Sequence, residues 1–277
     1  AAAAVGARPL ASCEAAYPPR LAALPDPPPL IYVLGDVARL ANPAVAMVGA
    51  RNASASAIRY TRRLAGELAG KGLLVASGLA RGIDTAAHTG ALDAGSLDTG
   101  GGAGTVAVLA GGVDVVYPAE NQALYEAVAT QGAGISEMPP GTRPQARHFP
   151  RRNRIVSGLS LAVIVVEAAQ RSGSLITARL AGEQGRTVLA VPGSPLDPRA
   201  FGANHLIREG AILVRNAEDV FEAVQPMVTP ATPRTETPSP RSRAPVLDLD
   251  SAGADSRETV ISCLSPEPVA VDEIVRR

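Results

Sequence analysis

The sequence predicts an α/β protein built on a Rossmann-like, doubly wound and mostly parallel sheet. Three observations carry this. Short apolar runs are continuous rather than alternating, the pattern of strands buried on both faces. Helix-like stretches separate those runs, as in a parallel sheet covered by crossover helices. Several runs lead straight into Gly/Ser/Arg turns, where such sheets bind ligands beyond their strand ends.

Residues 1–44 are Ala- and Pro-rich, with Pro27-Pro28-Pro29, and read as a short N-terminal extension before a core at 45–225. Strands are expected at 45–48, 73–76, 105–109, 161–166, 188–191 and 211–214. The run Leu161–Val166 gives the strongest signal. Helices are expected at 56–70, 84–94, 120–131, 175–184 and 217–224, with another starting at Pro150, a residue suited to a first helical turn. Asp93–Gly104 is Gly/Ser-rich and reads as a loop or insertion. Residues 226–245 contain six prolines and read as a linker. Residues 246–277 carry seven acids against three arginines and read as the start of a small, truncated helical module of winged-helix type.

Composition limits the function. The chain has 277 residues, 46% hydrophobic and 3% aromatic, with zero formal net charge, so it is no general polybasic binder and any polyanion site must be local. Cys13 and Cys263 lie far apart with no CxxC or Cys/His neighbourhood. Neither a disulfide framework nor a metal site is expected, and a reducing cytoplasm fits. No apolar run reaches membrane-span length.

One segment breaks the charge balance. From Met138 to Val166 there is no Asp or Glu, but there are Arg143, Arg147, Arg151, Arg152 and Arg154. Phe149 sits among them, and Arg151 and Arg154 share a helix face. Cations for a backbone and an aromatic for a base make a single-strand platform. The same residues serve equally as a solvated helix start with Phe149 packed inward.

Three strand-to-helix turns are candidate anion sites. Gly49-Ala50-Arg51 offers close backbone approach, helix-start amides and a guanidinium fork. Ser77-Gly78-Leu79-Ala80-Arg81 is a second, with Asp84 expected to cap the next helix; His88, on the same helix face as Asp84, reads as making a local hydrogen bond to it ahead of an Asp–His catalytic pair. Ser172-Gly173-Ser174 is the third, beside Arg171. Glu137 and Glu167 are expected to pair with nearby arginines.

With these residues in hand, the chain resembles the DNA-processing protein A family, also called DprA or Smf. The matching segments are Ser77–His88, Gly111–Asn121, Phe149–Ser160, Val166–Ala178 and Gly185–Gly193, in order, within about residues 45–215. The resemblance implies a cytoplasmic, dimeric, non-enzymatic protein. It would bind single-stranded DNA, protect incoming DNA during natural transformation and help load a RecA-type recombinase. It points to a pocket of Arg51, Arg147, Phe149, Arg151, Asn153 and Arg154 beside Ser172–Ser174, with no metal or cofactor. Lys71, the only lysine, lies outside these motifs, so arginine must supply the cations. The competing reading is a nucleotide-binding or nucleotide-hydrolysing, phosphoribohydrolase-like enzyme. Leu180 stands where such a site would need its catalytic glutamate.

Overall fold

Buried apolar runs dictate the centre of the molecule. The computed structural model describes residues 2–95 and 103–228, without the side chains of residues 95 and 228. The strands are β1 (Arg8–Ala11), β2 (Leu30–Gly35), β3 (Ala44–Val48), β4 (Leu74–Ser77), β5 (Thr105–Val108), β6 (Ala133–Ser136), β7 (Ala162–Val165), β8 (Thr187–Ala190) and β9 (Ile212–Leu213). They form one sheet of nine in the order β1-β2-β6-β5-β4-β3-β7-β8-β9. From β6 to β9 every pairing is parallel, whereas β2 joins β6, and β1 joins β2, antiparallel.

The helices are α1 (Pro19–Ala22), α2 (Ala55–Gly70), α3 (Ile83–Gly95), α4 (Gln122–Gln131), α5 (His148–Leu159), α6 (Gly173–Glu183), α7 (Phe201–Arg208) and α8 (Ala217–Val228). Period-2 alternation divides each central strand between two core layers. Val45 and Met47 of β3 join the layer of Leu64, Leu68, Ile83 and Val220, from α2, α3 and α8. Ala46 and Val48 join the opposite layer, with Ile155 and Val156 of α5 and Ala178 of α6. This is the doubly wound, Rossmann-like arrangement, and small aliphatic residues fill it.

Two expectations change. Residues 1–44, read as an extension, put β1 and β2 into the same sheet, so position 44 is no boundary of the sheet. Strand β6 and helix α7 escaped the periodicity reading. β6 holds Gly134, which a side chain cannot replace because the Tyr125 ring occupies the place of its Cβ. Of the expected linker, 226–228 close α8; its remainder, the 246–277 module and 96–102 of the Gly-rich segment lie outside the described residues.

The sheet order fixes where a ligand belongs. β3 lies between β4 and β7. The chain winds outward on one side through β4, β5 and β6, then returns to start the other side at β7. The turns after β3 and β7 therefore leave toward opposite faces and open a crevice at their carboxyl ends.

Candidate functional site

Four segments meet at that crevice and line a cleft of about 720 Å³. The first is the turn from β3 into α2. A Cβ on Gly49 would fall 2.5 Å from Ile83 Cγ1 and 3.0 Å from the Glu167 carbonyl, so only glycine passes between them. Ser54 caps α2, accepting from the Ala57 amide at 3.0 Å. Glu167 holds this cap by accepting from the Ser54 hydroxyl (2.7 Å) and amide (2.9 Å). Glu167 is thus a cap support, which corrects its expected pairing with arginine. Arg51 is exposed and has no carboxylate partner among the described residues. Its guanidinium lies 5.6 Å from the Phe149 ring centroid, in cation–π range.

The second segment is the turn from β4 into α3, and it is fastened from within. Ser77 is fully buried and donates to the Met47 carbonyl at 2.7 Å, so its hydroxyl ties β4 to β3 and does not reach the cleft. Asp84 was expected to cap α3; instead it accepts from the upstream amides of Gly78 (3.1 Å) and Ala80 (3.3 Å). Leu79 is held at φ 57, and its carbonyl accepts from Asn121 Nδ2 at 2.9 Å. A non-glycine residue in that region persists only where its surroundings enforce it. Gly78 is required because the Arg152 guanidinium occupies the place of a Cβ. Arg81 is exposed and paired to Glu120 at 3.2 Å on the rim.

Helix α5 supplies the third wall. Phe149, Arg152, Asn153 and Val156 recur at helical spacing and face the cleft. Arg152 is 7% exposed and donates through Nη1 to the Gly78 carbonyl (2.6 Å) and to that of Val108. Burial pushes its guanidinium down to about 10, opposed by Asp84, and burial raises the Asp84 carboxyl. Arg151 and Arg154 leave the helix on another side, where both meet Glu137 Oε1, at 3.0 and 2.7 Å. Arg154 also donates to the Asp26 carbonyl at 2.7 Å. The Glu137 pairing is as expected. The cationic run is nevertheless divided, with Arg152 and Asn153 on the cleft and Arg151 and Arg154 on Glu137. The helix starts at His148, two residues before the expected Pro150, and Arg147 stands exposed before it.

Phe149 is half-buried, and Tyr117 meets it edge-on with centroids 5.6 Å apart and planes at 61°. Tyr117 itself is 51% exposed. The fourth segment, after β7, begins α6. Ser172 caps it, accepting from the Ser174 amide (3.4 Å), and its hydroxyl lies 2.7 Å from that of Ser174. Gly173 is exposed with open space beside it, and the exposed Arg171 has no carboxylate partner among the described residues. Arg199 lines the far side but is engaged by Asp197 at 2.8 Å.

The expected Asp84–His88 bond is absent. His88 is fully buried and its Nδ1 lies 2.7 Å from Thr105 Oγ1. That hydroxyl donates its proton to the Val75 carbonyl, so Nδ1 is the donor and Nε2 is an acceptor without a partner. Burial, then the Arg152 charge, push the imidazole down to about 3. No group of three or more His, Cys, Asp or Glu side chains gathers among the described residues to hold a metal ion. No helix there is long and apolar enough to cross a membrane.

Sequence reading missed Arg152, Tyr117 and Asn121 as parts of this site. The last two lie inside the Gly111–Asn121 motif, where an aromatic before proline and an asparagine before a helix were available signals.

A profile of the family described as DNA recombination-mediator protein A matches residues 8–225. The chain belongs to that family. It is 44% identical to the DNA processing protein DprA of Bacillus subtilis over 74% of this chain and 67% of that one. It is 43% identical to the protein Smf of Escherichia coli over 76% of this chain and 54% of the other, so the matched part spans about half of that relative. The crystal structure of DprA from Streptococcus pneumoniae superposes with a TM-score of 0.72 at 42% identity, covering 78% of this chain and 73% of that one. DprA from Helicobacter pylori, described for its single-stranded DNA binding mode, superposes with a TM-score of 0.70 at 29% identity, covering 80% and 97%. This DprA/Smf chain thus carries the core of a family concerned with DNA processing and recombination.

Proposed function

We propose that the cleft at the carboxyl ends of β3 and β7 binds single-stranded DNA. The observation that supports this best is the Arg51–Phe149–Tyr117 cluster. An arginine with no carboxylate partner among the described residues lies on an aromatic whose neighbour is half exposed. Unpaired bases stack on such rings, and the backbone needs such a cation. Arg171 and the amides starting α6 add favourable positions for phosphates. In this reading Gly49, Gly78 and Gly173 keep the walls open, and Asn153, Ser172 and Ser174 offer polar contacts. Arg147 extends the positive rim, and Arg81 borders it while paired with Glu120. Arg152 acts by shaping the wall, and Arg151 and Arg154 act by fixing α5.

The activity is binding rather than turnover. Asp84, Glu137 and Glu167 are each committed to structural partners, and Leu180 occupies the position of the glutamate a phosphoribohydrolase would use. We place the protein in the cytoplasm, as a homodimer that shields incoming single strands and passes them to a RecA-type recombinase.

Fluorescence anisotropy with a labelled oligothymidylate, its duplex and thymidine monophosphate as competitor, across a salt series, tests the binding claim. Tight, salt-dependent binding of the single strand is expected, with a slope of about −0.7 per phosphate neutralised. Equal affinity for the mononucleotide, or preference for the duplex, would overturn it.

A further inference from the structure

A second cationic site lies at the opposite end of the sheet, where β3, β7 and β8 begin. Its cleft is about 380 Å³, within the range of small-ligand sites. Most of the wall is apolar, including Pro19, Leu40, Pro43 and Leu159, and among the described residues no Asp or Glu lines it. Two arginines do. Arg186, just before β8, donates through Nη2 to the carbonyls of Arg20 (2.9 Å) and Gly158 (3.1 Å). Arg20 makes one long bond, to the Met227 carbonyl at 3.3 Å.

Neither has a carboxylate partner among the described residues, although Arg8, Arg62, Arg154 and Arg215 all do. Arg186 Nε is buried without any acceptor. Burial, and next the Arg186 charge, hold the Arg20 guanidinium below its ordinary value, and burial does the same to Arg186. Two like charges in a largely apolar cleft that no acid among the described residues lines are an unfavourable arrangement until an anion enters.

We propose that Arg20 and Arg186 form a binding site for a phosphomonoester carried on a small apolar or aromatic body. The charge count selects this class. Two guanidiniums balance a terminal phosphate of about −1.5 to −2, whereas one carboxylate leaves an excess and a polynucleotide backbone needs a longer row of cations. The forked N–H groups suit phosphate oxygens, and the prolines and leucines suit the body behind them. Two sources share this chemistry: a free 5′-mononucleotide and the 5′-phosphate end of a DNA strand.

The test is nitrogen-15 NMR of the arginine Nε–H resonances in the full chain, assigned through Arg20→Lys and Arg186→Lys. Probes are inorganic phosphate, thymidine monophosphate, thymidine, and oligothymidylates with and without a 5′-phosphate. All are run in Arg51→Ala protein so that the main cleft does not dominate. Thymidine monophosphate is expected to shift both resonances saturably, at least tenfold more tightly than inorganic phosphate, and thymidine is expected to leave them unmoved. Arg20→Gln, which gives up only one long hydrogen bond, should weaken binding at least tenfold while the fold persists. A response to the 5′-phosphorylated oligonucleotide and not to its 5′-hydroxyl twin would assign the strand end as the source; equal response to the mononucleotide would assign the free nucleotide. Shifts that fail to saturate, that chloride reproduces, or that Arg20→Gln leaves intact would overturn the site.

Discussion

The turns after β3 and β4 look alike in sequence, yet they behave as opposites. Each runs from a buried strand through glycine and arginine into a helix. After β3, Arg51 has no carboxylate partner among the described residues, and its guanidinium lies over the Phe149 ring. After β4, the backbone is bound from every side: Asp84 takes two amides, Arg152 and Asn121 take carbonyls, and Arg81 is paired with Glu120. A turn whose polar groups are satisfied internally is a rigid wall. A turn with spare donors is a contact surface. Residue types alone do not separate the two; the partners do.

The largest effect should come from breaking the wall. Arg152→Ala leaves two buried carbonyls, those of Gly78 and Val108, without a donor and removes the positive charge that opposes the burial of Asp84, and should cost about 2–3 kcal/mol in urea unfolding. Adding Asp84→Asn should recover part of this, and full stability in the single variant would show that Asp84 does not depend on Arg152. His88 lies in the same wall and gives it a pH dependence. Its folded value of about 3 lies below the ordinary 6.5, so the unfolded chain binds a proton first as pH falls. The stability this residue contributes is present above pH 6.5 and is lost on the way down to about pH 3. Unfolding midpoints across that window should flatten in His88→Leu relative to the parent.

The contact surface should respond in binding, not in folding. Phe149→Ala should weaken oligonucleotide binding by roughly 1–3 kcal/mol, with little change in salt slope. Arg51→Ala should reduce the slope by about 0.7 as well as the affinity; an unchanged slope would place Arg51 away from phosphate. Smallest of all, Arg81→Ala breaks an exposed pair and should change stability by less than about 1 kcal/mol. A larger loss would mean that this rim is part of the wall.

The sequence made the sheet centre legible because β3, β4, β5 and β7 are buried along their whole length and apolar except for Ser77 and Thr105, as strands covered on both faces tend to be. It left β6 hidden, since a four-residue strand containing glycine carries little apolar signal. β2, with Ile31 and Val33 buried, was submerged in a Pro-rich context. In the site, Arg51 and Phe149 stood out by type and position. The run Arg151-Arg152-Asn153-Arg154 did not reveal its own division, because helix phase against the sheet decides which guanidinium is buried. The Asp84–His88 spacing was likewise misleading: the four-residue interval places both on one helix face, but Thr105 on β5 captures the histidine.

The pairing of β3 with β7 also has a meaning for synthesis. Val45 meets Ala162 and Val48 meets Val165, so the middle of the sheet is joined by segments made far apart in time on the ribosome. Until β7 emerges, β3 presents one unpaired edge of a strand whose every side chain becomes buried, the kind of edge that recruits other chains. Arg51 leaves the ribosome early, while Phe149 and the β7 turn come much later. A nascent chain that stalls between them has one lip of the cleft and no cleft, and a truncated product ending there should aggregate rather than bind weakly.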